Sequence, residues 1–144
     1  MKDINGYKRK SQAFLSKMKN AKIVCLGSWP GAIEYHIKVE STEFLNGLTS
    51  LKELRFLRLQ GNSRITELLN SIGKRSNLLI LDLRECHNLK GLPNKIAQLT
   101  NRRYLDLSDC YLLARMPKGQ WKLAELQVLK GFVISNPQKK DSGT

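Results

Sequence analysis

"LDLRECHNLKGLP", residues 81–93, and "LDLSDCYLLARMP", residues 105–117, decide how this chain is read. The first packs Asp82, Glu85, Cys86 and His87 close together, the raw material of a metal site or a thiol nucleophile. The second carries Asp106, Asp109 and Cys110 in the same places. Either the two stretches are halves of one chemical site, or their likeness comes from a repeated architecture. Sliding the sequence on itself until Leu54 falls on Leu78 decides the matter. Leu57, Leu59, Asn62, Ile65 and Leu68 then fall on Leu81, Leu83, Cys86, Leu89 and Leu92. A further equal shift brings Leu105, Leu107, Cys110, Leu113 and Met116 into line, and a fourth copy begins at Leu126 and Leu129 before breaking down at Gly131.

The shared pattern, LxxLxLxxN/CxxLxxLP, is the signature of a leucine-rich repeat. Its LxL core predicts a short strand whose alternating leucines point inward. Successive strands then stack in parallel, because each repeat buries its apolar side only against its neighbours. The place held by Asn62, Cys86 and Cys110 marks a bend where a small side chain satisfies backbone groups. The Leu92–Pro93 and Met116–Pro117 pairs predict a helical or extended return along the outer side. The fold class expected is therefore α/β, a leucine-rich-repeat solenoid with short parallel strands on the concave face and a helical or irregular convex side. Cys86 and Cys110 become interior structural thiols, and His87, replaced by Ser63 and Tyr111 in the flanking copies, a turn residue.

An earlier, degenerate copy is read in "MKNAKIVCLGSW", with Met18, Ala21, Val24 and Leu26 in leucine places and Trp29 at the Asn/Cys place. The step from Ala21 to Leu54 is longer than the later step from Leu54 to Leu78. The extra length falls in a segment where "HIKVES" (36–41) alternates like a strand and "STEFLNGL" (41–48) looks like a capped helical turn. The boundaries expected are a basic lead-in over 1–17, repeats over 18–134 and a polar tail over 135–144.

Composition supports a folding chain: 41% hydrophobic and 26% charged residues are not the balance of a disordered segment. No run of about 18 apolar residues exists, so no membrane span is expected. Three cysteines, no glycosylation sequon and no secretory leader favour a reducing, cytoplasmic setting, with the nucleus as the alternative. The net charge is +13, to which positions 1–20 contribute +5 and positions 51–134 contribute +8. With "YKRK" at 7–10, that charge motivates a nucleic-acid alternative, but no stacking motif, finger spacing or helix-turn-helix pattern accompanies it. Nucleic acid is accordingly not the expected partner. No GxxxxGK[ST], GxGxxG, GxSxG or HExxH occurs, and His36 has no partner pattern, so no enzymatic activity, catalytic residue or metal site is expected.

Three phrases together carry a closer likeness. "LRFLRLQGNSRITELLNSIGK", "LDLRECHNLKGLP" and "YLDLSDCYLLARMPKG…KLAELQVLKGFVIS" resemble the repeats of plant coiled-coil, nucleotide-binding, leucine-rich-repeat disease resistance proteins. The last phrase is most similar to their HopZ-activated-resistance type. The resemblance spans about residues 18–135. It departs from the family pattern at Arg75 and Arg102, where leucine is usual, at Leu69, where proline is, and at Gln120, where isoleucine is. The resemblance implies a recognition module that senses a pathogen effector, a partner kinase or pseudokinase, or the receptor's own nucleotide-binding domain. It also implies a fragment lacking that domain, and hence no cofactor, since the family's ADP/ATP site lies there.

Reading across the repeats gives solvent-facing columns. Arg55, Leu79 and Arg103 form one; Phe56, Ile80, Tyr104 and Val128 the next; Arg58, Asp82, Asp106 and Lys130 a third; Gln60, Arg84 and Ser108 a fourth. The candidate protein-binding face comprises Arg55, Phe56, Arg58, Ile80, Asp82, Arg84, Arg103, Tyr104 and Asp106. In the 81–93 coil, Asp82, Arg84 and Glu85 are expected to face outward. Strands about 4.8 Å apart also allow Arg58 to pair with Asp82 across the ladder, an internal role that competes equally with binding. A leucine-rich-repeat scaffold outside immunity remains a further alternative, differing only in partner.

Overall fold

The computed structural model describes residues 15–27, 42–73, 77–98, 104–114, 116 and 126–131. Five short strands form one sheet: β1 (Ile23–Cys25), β2 (Phe56–Arg58), β3 (Ile80–Asp82), β4 (Tyr104–Asp106) and β5 (Val128–Lys130). Their order is the order of the chain, and every pairing is parallel. The register follows the repeat: Phe56 pairs with Ile80, Ile80 with Tyr104, and Tyr104 with Val128. The degenerate first copy enters with the longer offset read from the sequence, Ile23 opposite Phe56 and Cys25 opposite Arg58. The architecture is an α/β leucine-rich-repeat solenoid.

The strands are short because the hydrophobic pattern alternates for one LxL only; the chain must then turn to bury the next leucine. Leu57, Leu81 and Leu105 are fully buried between neighbouring strands, and Leu59, Leu83 and Leu107 follow them into the interior. Backbone pairing outlasts the strands by a step. Leu59 N donates to Asp82 O at 2.8 Å, and Leu83 N to Asp106 O at 2.9 Å. β5 is a real fourth copy, with Leu126 and Leu129 packed against the core though only half-buried. Gly131 then occupies the place that Leu107 holds one coil earlier, in a left-handed conformation (φ +69°) and so close to the Leu107–Ser108 backbone that a Cβ would collide with it. In that backbone conformation a leucine would clash with the Leu107–Ser108 backbone.

The return side is built from short turns. They are a 3-10 segment over Thr42–Ser50, one α-helical turn, α1 (Asn70–Gly73), and a 3-10 turn over Asn94–Gln98 that follows Pro93. Ile96 N donates to Pro93 O at 2.9 Å, so the proline opens the return as its fixed φ favours. These turns contribute a second interior column, Leu15, Leu48, Ile72 and Ile96, each no more than 4% exposed. Its spacing copies that of the strands, one long step and then two equal shorter ones. Leu15 lies inside the span assigned to the lead-in, yet it is buried. Met18, expected in a leucine place, is instead 37% exposed, because a helical turn at 15–17 directs Leu15 into the core in its stead. Leu69 is half-buried at the entry to α1 and packs against the core without the usual proline. Trp29, the "HIKVES" strand reading, His36, Arg75, Arg102, Pro117 and Gln120 lie outside the described residues, as do most of the lead-in and the tail.

Candidate functional site

The 81–93 coil resolves its own ambiguity once the bend after each strand is followed. Asn62 Nδ2 donates to Leu26 O at 3.0 Å and to Leu59 O at 2.8 Å. One coil on, Cys86 Sγ donates to Leu59 O at 3.1 Å, and one further, Cys110 Sγ donates to Leu83 O at 3.1 Å. Each bend residue thus hands a hydrogen to the last inward leucine carbonyl of the preceding coil, a buried backbone acceptor that needs one. The thiols must stay protonated to do so. Burial does push them up, Cys86 to about 12 and Cys110 to about 11. A thiol held that high carries little thiolate, the nucleophilic form, near neutrality. Among the described residues no group of three His, Cys, Asp or Glu could hold a metal ion. His87 stacks on Tyr111, ring centroids 5.0 Å apart and planes 16° from parallel, on the exposed turn.

The face of the sheet turned away from the core carries the candidate binding residues. Its central stripe is apolar: Phe56, Ile80, Tyr104 and Val128 in register and half-buried, with Ile23 at the β1 end 66% exposed. Arg55 is exposed at the strand entry. Arg103 lies outside the described residues.

Beside the stripe runs a polar column whose order from β1 is Cys25, Arg58, Asp82, Asp106, Lys130. Asp82 stands on the outward face in register with Arg58, but it is covered there and only 3% exposed, and Asp106 is 1% exposed. A carboxylate on a short stem sits low enough to meet the turn amides and be roofed by longer neighbours. Asp82 Oδ2 accepts from Arg58 Nε at 3.0 Å and Arg84 Nη2 at 2.9 Å; its Oδ1 accepts from Arg84 Nε at 3.0 Å and Arg84 N at 3.2 Å. Asp106 Oδ1 accepts from Ser108 N at 3.0 Å, and its Oδ2 from Tyr104 OH at 2.9 Å. Arg84 Nε also lies 3.6 Å from Asp106 Oδ2, so one guanidinium spans both carboxylates. Burial alone would raise the Asp82 carboxyl; the hydrogen bonds from Arg84 and Arg58 outweigh it and hold the group below its ordinary value. In return, the bond to Asp82 holds Arg84 above its own, against burial.

The pairing of Arg58 with Asp82 that spacing allows is therefore formed, and Arg84 joins it. Gln60, 5% exposed, extends the network: its Nε2 donates to Glu85 Oε1 at 2.8 Å, and its Oε1 accepts from Arg84 Nη2 at 3.3 Å. Lys130 Nζ stands 5.8 Å from the Tyr104 ring centroid, within cation–π range. Gln60 and Lys130 stand in the columns of the sequence but not among its candidates; counting hydrogen-bond capacity along the columns would flag them.

A family model for the leucine-rich repeat region matches residues 15–142. No curated protein matches the chain. Among solved structures, the leucine-rich repeat domain of the type III effector XopL is 29% identical over 65% of this chain, with a TM-score of 0.49; the match spans 30% of that chain.

Proposed function

The chain belongs to the leucine-rich repeat region family, and from that premise we propose that it is the recognition module of a plant intracellular immune receptor. A repeat region of this kind is a protein-interaction module. The plant assignment rests on the phrases at 54–74, 81–93 and 104–135, which resemble disease resistance receptors of the HopZ-activated-resistance type. In this reading residues 18–134 form the module, with Leu15 of the basic lead-in packed into its core and the polar tail following it, in the cytoplasm or nucleus. The partner is an effector, a partner kinase or pseudokinase, or the receptor's own nucleotide-binding domain. Among the described residues, no helix is long and apolar enough to cross a membrane.

The observation that carries the reading is the apolar stripe of Phe56, Ile80 and Tyr104, half-buried on a sheet face and edged by charged side chains. Apolar anchors inside a polar rim are the anatomy of a protein-binding surface. The test is capture of purified effectors, pseudokinases and nucleotide-binding domains by the whole chain. The comparison is with a Phe56→Ser, Ile80→Ser, Tyr104→Ser variant whose fold is checked by circular dichroism. Loss of capture supports the reading. Undiminished capture by a folded variant removes this face as the site, and binding that responds only to salt and prefers DNA favours the nucleic-acid alternative.

A further inference from the structure

We infer that the sheet face takes an acidic segment of its protein partner, one that lays an apolar side chain on the Phe56–Ile80–Tyr104 stripe. The inference rests on the recognition reading above and adds the partner's chemistry to it. In the sequence, the column on one side of the stripe, Arg58, Asp82, Asp106 and Lys130, mixes both signs of charge. In three dimensions the signs separate by depth. Lys22 and Arg55 are exposed at the strand entries on one side of the stripe, and Lys130 is exposed on the other. Arg58 and Arg84 keep 23% and 34% of their side chains exposed. The acids interleaved with them, Asp82 and Asp106, are 3% and 1% exposed. Their oxygens are occupied by turn amides, Tyr104 OH and the two guanidinium groups.

An approaching carboxylate therefore meets cations at contact distance, whereas an approaching ammonium or guanidinium finds these oxygens roofed over. Arg55 and Lys130 have no acidic partner among the described residues, so engaging them breaks no internal ion pair there. Asp82 also holds Arg58 and Arg84 in place before any partner arrives, which lowers the ordering cost of binding. Guanidinium groups so fixed suit planar carboxylates better than lysines would. The stripe supplies what charge alone does not, a requirement for an apolar side chain among the acidic ones.

The test uses the whole chain and a short synthetic peptide in which Asp and Glu flank a single Phe. Arg55→Glu with Lys130→Glu is expected to weaken peptide binding by about tenfold or more. The exposed pair Lys52→Glu and Lys90→Glu, away from the face, should leave it within about twofold of wild type. Replacing the peptide's Phe by Ser should cost a similar factor to Phe56→Ser. Equal loss from both charge pairs, indifference to the Phe, or no binding overturns the inference, as does tighter binding of duplex DNA that ignores Phe56→Ser. A partner identified by the capture experiment that survives the Arg55/Lys130 reversal, yet is lost with the serine variant, sinks the acidic-segment inference and leaves the recognition function standing. Capture that survives the serine variant sinks both.

Discussion

Cys86 and Cys110 stand where a side chain has to be small, has to donate one hydrogen bond and has to carry no charge. Asn62 meets the same demand with an amide, donating to Leu26 and Leu59 carbonyls. Because burial holds the two thiols at about 12 and about 11, iodoacetamide at pH 8 should modify the exposed Cys25 alone in the native chain. Mass spectrometry should then find Cys86 and Cys110 modified only after unfolding; rapid labelling of either would mean the bend is open. The same values set an alkaline limit. A group whose folded pKa lies above its unfolded value of about 8.5 contributes fully below that value and loses its contribution as pH rises through the folded one. Stability should accordingly decline from about pH 9 upward. Asp82 has the opposite sign. Its pKa is lowered on folding, so its contribution is present above about pH 4, the ordinary carboxylate value, and is lost as pH falls through the folded one. Urea midpoints across pH, with Asp82→Asn removing much of the acid limb, check both arms.

At the scale of the element, the turns that end β2, β3 and β4 repeat one backbone conformation. Gly61, Glu85 and Asp109 all sit at positive φ, +73°, +58° and +61°. The left-handed region costs a non-glycine residue roughly 1–2 kcal/mol, while glycine costs about 0.5–1 kcal/mol in unfolded-chain entropy. Gly61→Ala should therefore destabilise by about 1 kcal/mol, and Asp109→Gly should be neutral or stabilise by up to about 1 kcal/mol. Chemical denaturation of both variants tests the turn, and a stabilised Gly61→Ala would refute it. Glu85 is a less clean site, since its carboxylate accepts from Gln60 Nε2. The strands are legible in the sequence because LxL is a period-two signal; the return turns are not. Leu15, Leu48, Ile72 and Ile96 obey the same offsets as the strands, but a column that takes one residue from each turn makes no local period. Met18 extends the leucine spacing and so reads as inward, whereas a single helical turn sends Leu15 inward instead.

Among the described residues the molecule is a stack in which each coil touches only its neighbours, so the stability of that stack is approximately a sum of nearest-neighbour interfaces. β3 has buried coils on both sides, with Leu81 and Leu83 fully buried; in β5, Val128 and Leu129 are only half-buried. Native-state hydrogen exchange should therefore protect the amides of Leu81 and Leu83 more strongly than that of Leu129, by about tenfold or more. Equal protection would show instead that the coils open as one unit. The stack also decides what the candidate face displays. Arg84 reaches Asp82 in its own coil and Asp106 in the next, an arrangement that exists only when strands one repeat apart lie side by side.

The sequence by itself determined the coil: its length, the inward leucines, the bend residue and the parallel pairing, including the longer step from β1 to β2. All of these follow from which side chains can leave water, and burial has a period that one chain can display. The tertiary structure alone decided the exposure of the charges. Asp82 and Arg58 look alike in a column of solvent-facing positions, but side-chain length and neighbouring donors placed one beneath the other. Charge burial depends on partners a coil away, and no local period records it.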